Sequence, residues 1–156
     1  MKRFFYVIVV FLSFFLTFCK RQNIIFSESF LFANNNWQRF KTVGFPVTIK
    51  DTACNYKINL ELNFQNDFPE NNLFVYFYLI YPNGEKRYIE TRLNVRDEKK
   101  SLLGIKTAEG NCIKTFIINS IHLSAPGIYK TEIGNLMTKY DNPGIQSVRL
   151  NIEKAE

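Results

Sequence analysis

Residue types that would support an enzymatic site are scarce in this chain of 156 residues. It contains one histidine and three cysteines, and none of them stands at metal-ligand spacing. The single histidine, His122, has no second group in the pattern to orient it as a general base. The carboxylates do not cluster as an acid–base pair, and no glycine-rich loop follows a strand to hold phosphate. The sequence therefore predicts no enzyme, no metal site and no cofactor.

The chain also lacks the patterns of helices and of permanent membrane spans. No segment of ten or more residues carries a helical stripe, and alanine is rare while Phe, Tyr, Ile and Asn are abundant, which favours strands. The apolar run from Phe4 to Phe15 has about a dozen residues, whereas a spanning helix needs roughly 20. Basic residues are scattered singly, so the formal charge of +6 does not indicate nucleic-acid binding.

Residues 1–18 have the pattern of a secretory signal. Lys2 and Arg3 precede the apolar run as a positive n-region. The three residues Leu16 to Phe18 lack the small side chains of an ordinary cleavage site, whereas an aliphatic residue three positions before a cysteine is typical of a lipoprotein signal. We therefore predict that Cys19 becomes the lipidated first residue of the mature protein and anchors it to a membrane. An uncleaved N-terminal anchor is the alternative.

Removal of the signal leaves 138 residues, enough for one domain, with a formal charge of +4 because Lys2 and Arg3 leave. Two cysteines, Cys54 and Cys112, then remain besides Cys19. An even pair in an oxidising envelope is a candidate disulfide. Two separate buried thiols are the equal alternative.

Alternation with a period of two residues recurs along the rest of the chain. In YKINLELNF (residues 56–64) every second residue is apolar, which predicts a half-buried strand. NLFVYFYLIY (residues 72–81) is apolar on both faces, which predicts a central strand covered on both sides. Asn83-Gly84 then supplies the positive φ of a tight hairpin turn.

Weaker strands follow the same pattern, and they are predicted at residues 25–32, 45–50, 113–119, 128–133 and 148–153. Residues 97–110, rich in Lys and Glu, predict a loop across an edge or end. Many short strands separated by turn residues predict an all-β fold, a single antiparallel β-sandwich of jelly-roll or Ig-like type. The expected organisation is a signal at 1–18, a lipid anchor with a tether and first strand at 19–36, and the sandwich domain at 37–156.

The aromatic residues allow two interpretations. Phe74, Tyr76 and Tyr78 at strand spacing could line a carbohydrate-binding face, although cross-strand packing is the more common role. Trp37 is a candidate contact with a partner because large aromatic residues dominate interface energetics, although a core position is the more common one.

Several motifs occur in an order that resembles a known family. Trp37 is followed by FPVTIKD, the alternating strand YKINLEL, an NNL block ending in P-x-G, the turn-strand PGIYKTEI and a closing PGIQSVRLNIEK. This order, over roughly residues 37–154, resembles the gliding-motility lipoprotein family of the GldH type from Bacteroidetes.

The resemblance implies a non-enzymatic envelope lipoprotein that works with the gliding apparatus and the associated type IX secretion machinery by stabilising other lipoproteins. Surface-exposed lipoproteins of that phylum tend to carry acidic residues after the cysteine, whereas Lys20 and Arg21 stand there in this chain. The expected location is therefore the outer membrane, facing the periplasm. The alternative function is a glycan-binding envelope lipoprotein that uses an aromatic face of the sandwich.

Overall fold

A computed structural model of the chain describes residues 23–155, so the predicted signal and Cys19 lie outside the described residues. The described part contains one short 3₁₀ helix, Ala33–Asn35, and nine strands. The strands are β1 (Ile24–Leu31), β2 (Val43–Ile49), β3 (Asn55–Phe64), β4 (Asn72–Ile80), β5 (Lys86–Asn94), β6 (Ile105–Thr107), β7 (Gly110–His122), β8 (Gly127–Asn135) and β9 (Ile145–Lys154). Between residues 23 and 155 there is no helix long and apolar enough to cross a membrane.

The strands form two antiparallel sheets that pack face to face. One sheet has the order β1-β9-β3-β7-β6, and the other has the order β2-β8-β4-β5. Except at the β4–β5 and β6–β7 hairpins, each connection carries the chain from one sheet to the other, which is the connectivity of a jelly roll. The predicted all-β sandwich is confirmed, and its strand order selects the jelly-roll alternative over the Ig-like one.

The alternating sequences form the inner faces of the two sheets. In β3, Tyr56, Ile58, Leu60, Leu62 and Phe64 are buried, as their spacing predicts. In β9, Leu150 lies opposite Leu60, and Val148 and Ile152 are buried beside it. Burying these side chains between the sheets supplies the main driving force for the fold, at roughly 1.5–3 kcal/mol for each large apolar side chain.

The predicted hairpin lies between β4 and β5. The Gly84 amide donates to the Tyr81 carbonyl at 2.9 Å, and Gly84 has a φ of 89°, the left-handed conformation that favours glycine. The residues of the two strands pair symmetrically about the turn, so Tyr78 lies opposite Tyr88. The turn therefore fixes which side chains meet across this part of the sheet.

Two expectations about individual segments are wrong. The strand β4 is central in its sheet, but only its inner face is covered; its outer face carries Phe74, Tyr76 and Tyr78, which are half-buried or exposed. Tyrosine tolerates a half-buried position because its ring packs on the sheet while its hydroxyl reaches a hydrogen-bond partner. The 97–110 segment is a loop only as far as residue 104, since β6 then pairs with β7.

The sandwich has two distinct ends. β1 begins where β9 finishes, because Ile24 lies opposite Glu153, so both ends of the described chain lie at one end of the sandwich. We call this the terminal end; it also carries the 50–54, 81–85 and 123–126 connections. The opposite end, here called the distal end, carries the 32–42, 65–71, 95–104 and 136–144 connections. The eight residues of β1 separate the two ends by about 25 Å.

Candidate functional site

The sequence-predicted site residues do not come together in one place. Cys19 lies outside the described residues. Trp37 is fully buried: its ring stacks on that of Phe32 with the centroids 4.7 Å apart, and its indole N–H donates to the Lys41 carbonyl at 2.8 Å. It therefore has no surface to offer a partner, which corrects its assignment as a candidate contact and places it in the core. His122 is exposed at the end of β7.

The structure keeps Cys54 and Cys112 apart as two free thiols. Cys54 immediately precedes β3, whereas Cys112 lies opposite Asn63 near the far end of the same strand. Nine residues of extended chain separate these levels by about 30 Å. A disulfide needs Cα atoms within about 7 Å, so the arrangement is that of the second alternative, two separate thiols.

No group of three or more His, Cys, Asp or Glu side chains within residues 23–155 is placed to hold a metal ion. A smaller polar cluster does lie at the terminal end, where Asp51 accepts a hydrogen bond from Lys154 at 2.5 Å. That bond, together with one from the Ala53 amide, holds the pKa of the Asp51 carboxyl below its usual value. The Tyr56 hydroxyl donates to the Asp51 carbonyl, so the cluster fixes the 50–54 loop to β3 and β9.

Two loops at the distal end are joined by a network of hydrogen bonds. The Asn142 side chain donates to the carbonyls of Trp37 and Lys139, and its backbone amide donates to the side-chain oxygen of Asn36 at 2.8 Å. Asn36 also donates to Asp141 at 2.8 Å. Because these bonds cross between residues 36–39 and 139–142, they hold the two loops in one fixed arrangement.

This network presents an exposed pair of aromatic rings. Phe40 is 77% exposed, and its ring lies 6.2 Å from that of Tyr140 on the facing loop. The Arg39 guanidinium lies 5.5 Å from the centre of the Phe40 ring, and the Arg39 amide donates to the Tyr140 carbonyl at 2.8 Å. The result is a rigid aromatic projection at the distal end, and we call Phe40 and Tyr140 the distal pair.

A second aromatic surface lies on the outer face of the four-stranded sheet. Tyr76, Tyr78 and Tyr88 form a cluster with ring centroids 4.9–6.3 Å apart, and Phe74 continues the row along β4. We call these four residues the tyrosine face. Two of them, Phe74 and Tyr88, are exposed. Sequence reasoning found the three residues on β4 but missed Tyr88; the symmetric pairing about the Asn83-Gly84 turn is the signal that would have found it.

The ring of Tyr76 lies across the neighbouring strand rather than pointing into solvent. A Cβ at Gly134 would come within 2.4 Å of its ring atoms, so only glycine leaves room for the ring on β8. The hydroxyl of Tyr76 lies 3.1 Å from that of Thr42, which holds the ring in this orientation.

Polar groups surround the tyrosine face. Tyr88 donates to the Glu90 carboxylate at 2.6 Å, and this hydrogen bond raises the pKa of Tyr88 to about 12. Towards the distal end, the row of rings runs into a polar depression of about 500 Å³. It is lined by amide, guanidinium and carboxylate side chains, among them Asn72, Arg92, Asn94, Arg96 and Asp97.

The outer face of the five-stranded sheet has a different character. Asn151 donates to Asn59 at 3.1 Å and accepts from Ser27 at 2.7 Å, so these polar side chains satisfy one another. Asn59 and Asn151 are buried, although the alternation alone predicts that they face solvent, and these hydrogen bonds offset the cost of burying them. Among the surfaces described, the tyrosine face and the distal pair carry clusters of exposed rings, whereas this part of the five-stranded sheet carries a polar cluster.

Several solved structures are similar to this chain. They include the CBM22-1 xylan-binding domain of Paenibacillus barcinonensis Xyn10C, with a TM-score of 0.43 and 9% identity over 88% of this chain and 98% of that one. The infectious bursal disease virus T13 particle has a TM-score of 0.40 and 15% identity over 81% of this chain and 30% of that one. Tripeptidyl peptidase 2 has a TM-score of 0.39 and 11% identity over 82% of this chain and 10% of that one. At these scores the likenesses carry no functional argument. No curated protein sequence matches the chain.

The model of one protein family does match the sequence. It is the GldH lipoprotein family, and the match runs over residues 24–152, from the first residue of β1 to within the last strand. This is a lipoprotein family of gliding motility and not a known family of enzymes. The matched range confirms the resemblance indicated by the order of motifs, and the chain belongs to the GldH lipoprotein family.

Proposed function

We propose that this protein is a lipid-anchored, non-enzymatic interaction module of the gliding machinery and the associated type IX secretion machinery, and that the distal pair is its contact with other lipoproteins there. The observation that carries the proposal is the exposure of Phe40 and Tyr140 on loops that the Asn36–Asn142 network holds rigid. Aromatic anchors that are already ordered lose little conformational entropy on binding, so a small number of them can dominate an interface.

The geometry of the anchor supports this assignment. Cys19 stands five positions before Ile24, and five extended residues reach at most about 18 Å. A lipid on Cys19 would therefore keep the terminal end close to the membrane, and the distal pair would project away from it. We place the anchor in the outer membrane with the domain in the periplasm. Confinement to a surface raises the effective concentration of the distal pair near other membrane-bound proteins.

The proposal is tested by chemical crosslinking of cells, followed by capture of the full-length protein from detergent-solubilised envelopes and mass spectrometry. Gliding or type IX lipoproteins should be recovered reproducibly and in near-stoichiometric amounts. The double variant Phe40→Ala, Tyr140→Ala should lose them. The matched control is Ile105→Ala, because Ile105 on β6 is also 77% exposed but lies outside the loops that carry the pair.

The outcomes separate the function from the site. Capture of the native protein without such lipoproteins would contradict the interaction role itself. Equal recovery by the native protein and the double variant would retain the role but remove the distal pair from it. Loss of recovery in Ile105→Ala as well would point to a broad effect of surface apolar residues and would also contradict the assigned contact.

A further inference from the structure

The tyrosine face has the chemistry of a carbohydrate site. Carbon-bound hydrogens on one face of a sugar ring pack on the negative face of an aromatic ring, while the hydroxyls around the ring need hydrogen-bond partners at its rim. A surface that binds a glycan must therefore offer exposed ring faces beside polar side chains. A protein docking site would instead favour contiguous apolar side chains at its centre.

The surrounding structure fixes the rings. The far end of the Tyr76 ring packs against Gly134, and its hydroxyl lies 3.1 Å from that of Thr42. Tyr88 is 46% exposed beside Tyr78, with 4.9 Å between the ring centres. Each ring is therefore ordered before a ligand arrives.

Hydrogen-bonding groups border the rings on both sides. On β5, Glu90 lies opposite Tyr76 and Arg92 lies opposite Phe74. On β8, Glu132 lies opposite Tyr78. Carboxylates accept from sugar hydroxyls and a guanidinium donates to them, so both partners that a hydroxyl needs are present.

The polar depression extends the same surface. Asn72 and Asn94 face each other at the distal end of β4 and β5, directly beyond Phe74, and both line the depression. From Tyr78 to Asn72 the row covers six residue steps, about 20 Å. That length accommodates several consecutive sugar units, with the aromatic rings under one part of the glycan and the amide groups of Asn72 and Asn94 under the next part.

We infer that the tyrosine face and the adjoining depression form a binding site for a polysaccharide chain, independent of the protein contact assigned to the distal pair. The site packs sugar rings on Tyr76, Tyr78 and Tyr88 and orients the chain by hydrogen bonds to the bordering carboxylates, amides and Arg92. Its occupant is an extended glycan of the cell envelope, because the proposed function places the domain in the periplasm.

The test is affinity electrophoresis of the full-length protein in gels that contain a soluble polysaccharide. The probes are hydroxyethylcellulose, a β-1,3-glucan, mannan, and the polysaccharide extracted from the envelope of the source organism. Migration should be retarded by at least one of them. Tyr88→Ala should weaken that binding about tenfold, as expected for loss of one stacking ring. Retardation by the envelope polysaccharide would support an envelope glycan as the occupant. Retardation by the other probes and not by the envelope polysaccharide would overturn that assignment.

The control is Phe116→Ala, because Phe116 is 47% exposed on the opposite sheet and so matches Tyr88 in exposure. It should bind like the native protein, and Tyr88→Phe, which keeps the ring, should bind within about twofold of it. Absence of retardation by all four probes would overturn the inference, as would equal binding by Tyr88→Ala. Either result would leave the capture of lipoproteins through the distal pair unaffected, so the two proposals fail separately.

Discussion

Trp37 and Phe40 stand three residues apart in one loop, but the Trp37 side chain is buried in the core and the Phe40 side chain is exposed to solvent. Trp37 is stacked on Phe32 in the core, whereas Phe40 projects into solvent beside Tyr140. Because one ring is buried and the other is exposed, we expect Trp37 to contribute to stability and Phe40 to the proposed partner contact.

Replacement of each ring by alanine should therefore have opposite consequences. Trp37→Ala removes a fully buried ring and its hydrogen bond to Lys41, so the free energy of unfolding should fall by about 3–5 kcal/mol. Phe40→Ala should change it by less than about 0.5 kcal/mol. Denaturant unfolding followed by far-UV circular dichroism measures both, since Trp37 is the only tryptophan and its removal abolishes the tryptophan fluorescence. A large loss of stability in Phe40→Ala would show that the distal pair is structural.

The contact between Tyr76 and Gly134 predicts the effect of adding one methyl group. In Gly134→Ala the new Cβ would meet the far end of the Tyr76 ring, which must swing outward and lose its bond to Thr42. Because a flexible side chain can move, the loss of stability should be only about 1 kcal/mol. Polysaccharide retardation should fall as in Tyr88→Ala. Thr42→Val removes the hydroxyl without introducing a clash, so it should reduce stability and polysaccharide retardation less than Gly134→Ala does. If NMR showed the Tyr76 ring of Gly134→Ala in the same environment as in the native protein, the packing of Tyr76 against Gly134 would be contradicted.

The ion pair between Asp51 and Lys154 predicts a dependence of stability on pH. The pKa of the Asp51 carboxyl is lowered in the folded protein, so its contribution to stability is present above about pH 4 and is lost as the pH falls through the folded pKa. Asp51→Asn should therefore be less stable than the native protein at neutral pH, and the difference should narrow as the pH falls below the ordinary aspartate pKa of about 4. Urea unfolding at neutral and at acidic pH measures this.

The control for Asp51 is Glu98→Gln, which removes the same charge from an exposed position in the loop before β6. Its stability relative to the native protein should be the same at neutral and acidic pH. A difference for Asp51→Asn that stays constant with pH would mean that the carboxylate contributes through shape and not through its charge.

The separation of Cys54 and Cys112 predicts two reactive thiols. Alkylation of the unfolded protein without reductant, followed by peptide mass spectrometry, should label both residues. Cys112 should react more slowly in the folded protein than in the unfolded protein, because burial raises the pKa of its thiol and lowers the thiolate fraction. Labelling that requires prior reduction would contradict the strand register between β3 and β7.

Much of the fold was predictable because period-two alternation directly reports a strand with one buried face. Residues 56–64 and 148–153 become β3 and β9 on this basis, and Gly84 forms the turn that its neighbour Asn83 indicates. The jelly-roll order was not predictable, since period two says which face is buried but not which strands are neighbours.

The candidate sites were predictable only in part. Phe74, Tyr76 and Tyr78 are recognisable at strand spacing, but their exposure depends on whether another layer covers β4. Phe40 and Tyr140 belong to loops that have no periodicity, and their proximity results from hydrogen bonds between positions about a hundred residues apart. Trp37 illustrates the reverse case, since its side chain is typical of interfaces and its position is in the core.

The most direct test of the interaction role is photocrosslinking in living cells from position 40. Phe40 is replaced by p-benzoylphenylalanine in the full-length protein, and a second strain carries the same group at Ile105, which is equally exposed. After irradiation, position 40 should give discrete crosslinks to gliding or type IX lipoproteins, and position 105 should give none. Crosslinks of the same kind and yield from both positions, or none from position 40, would contradict a partner contact at the distal end.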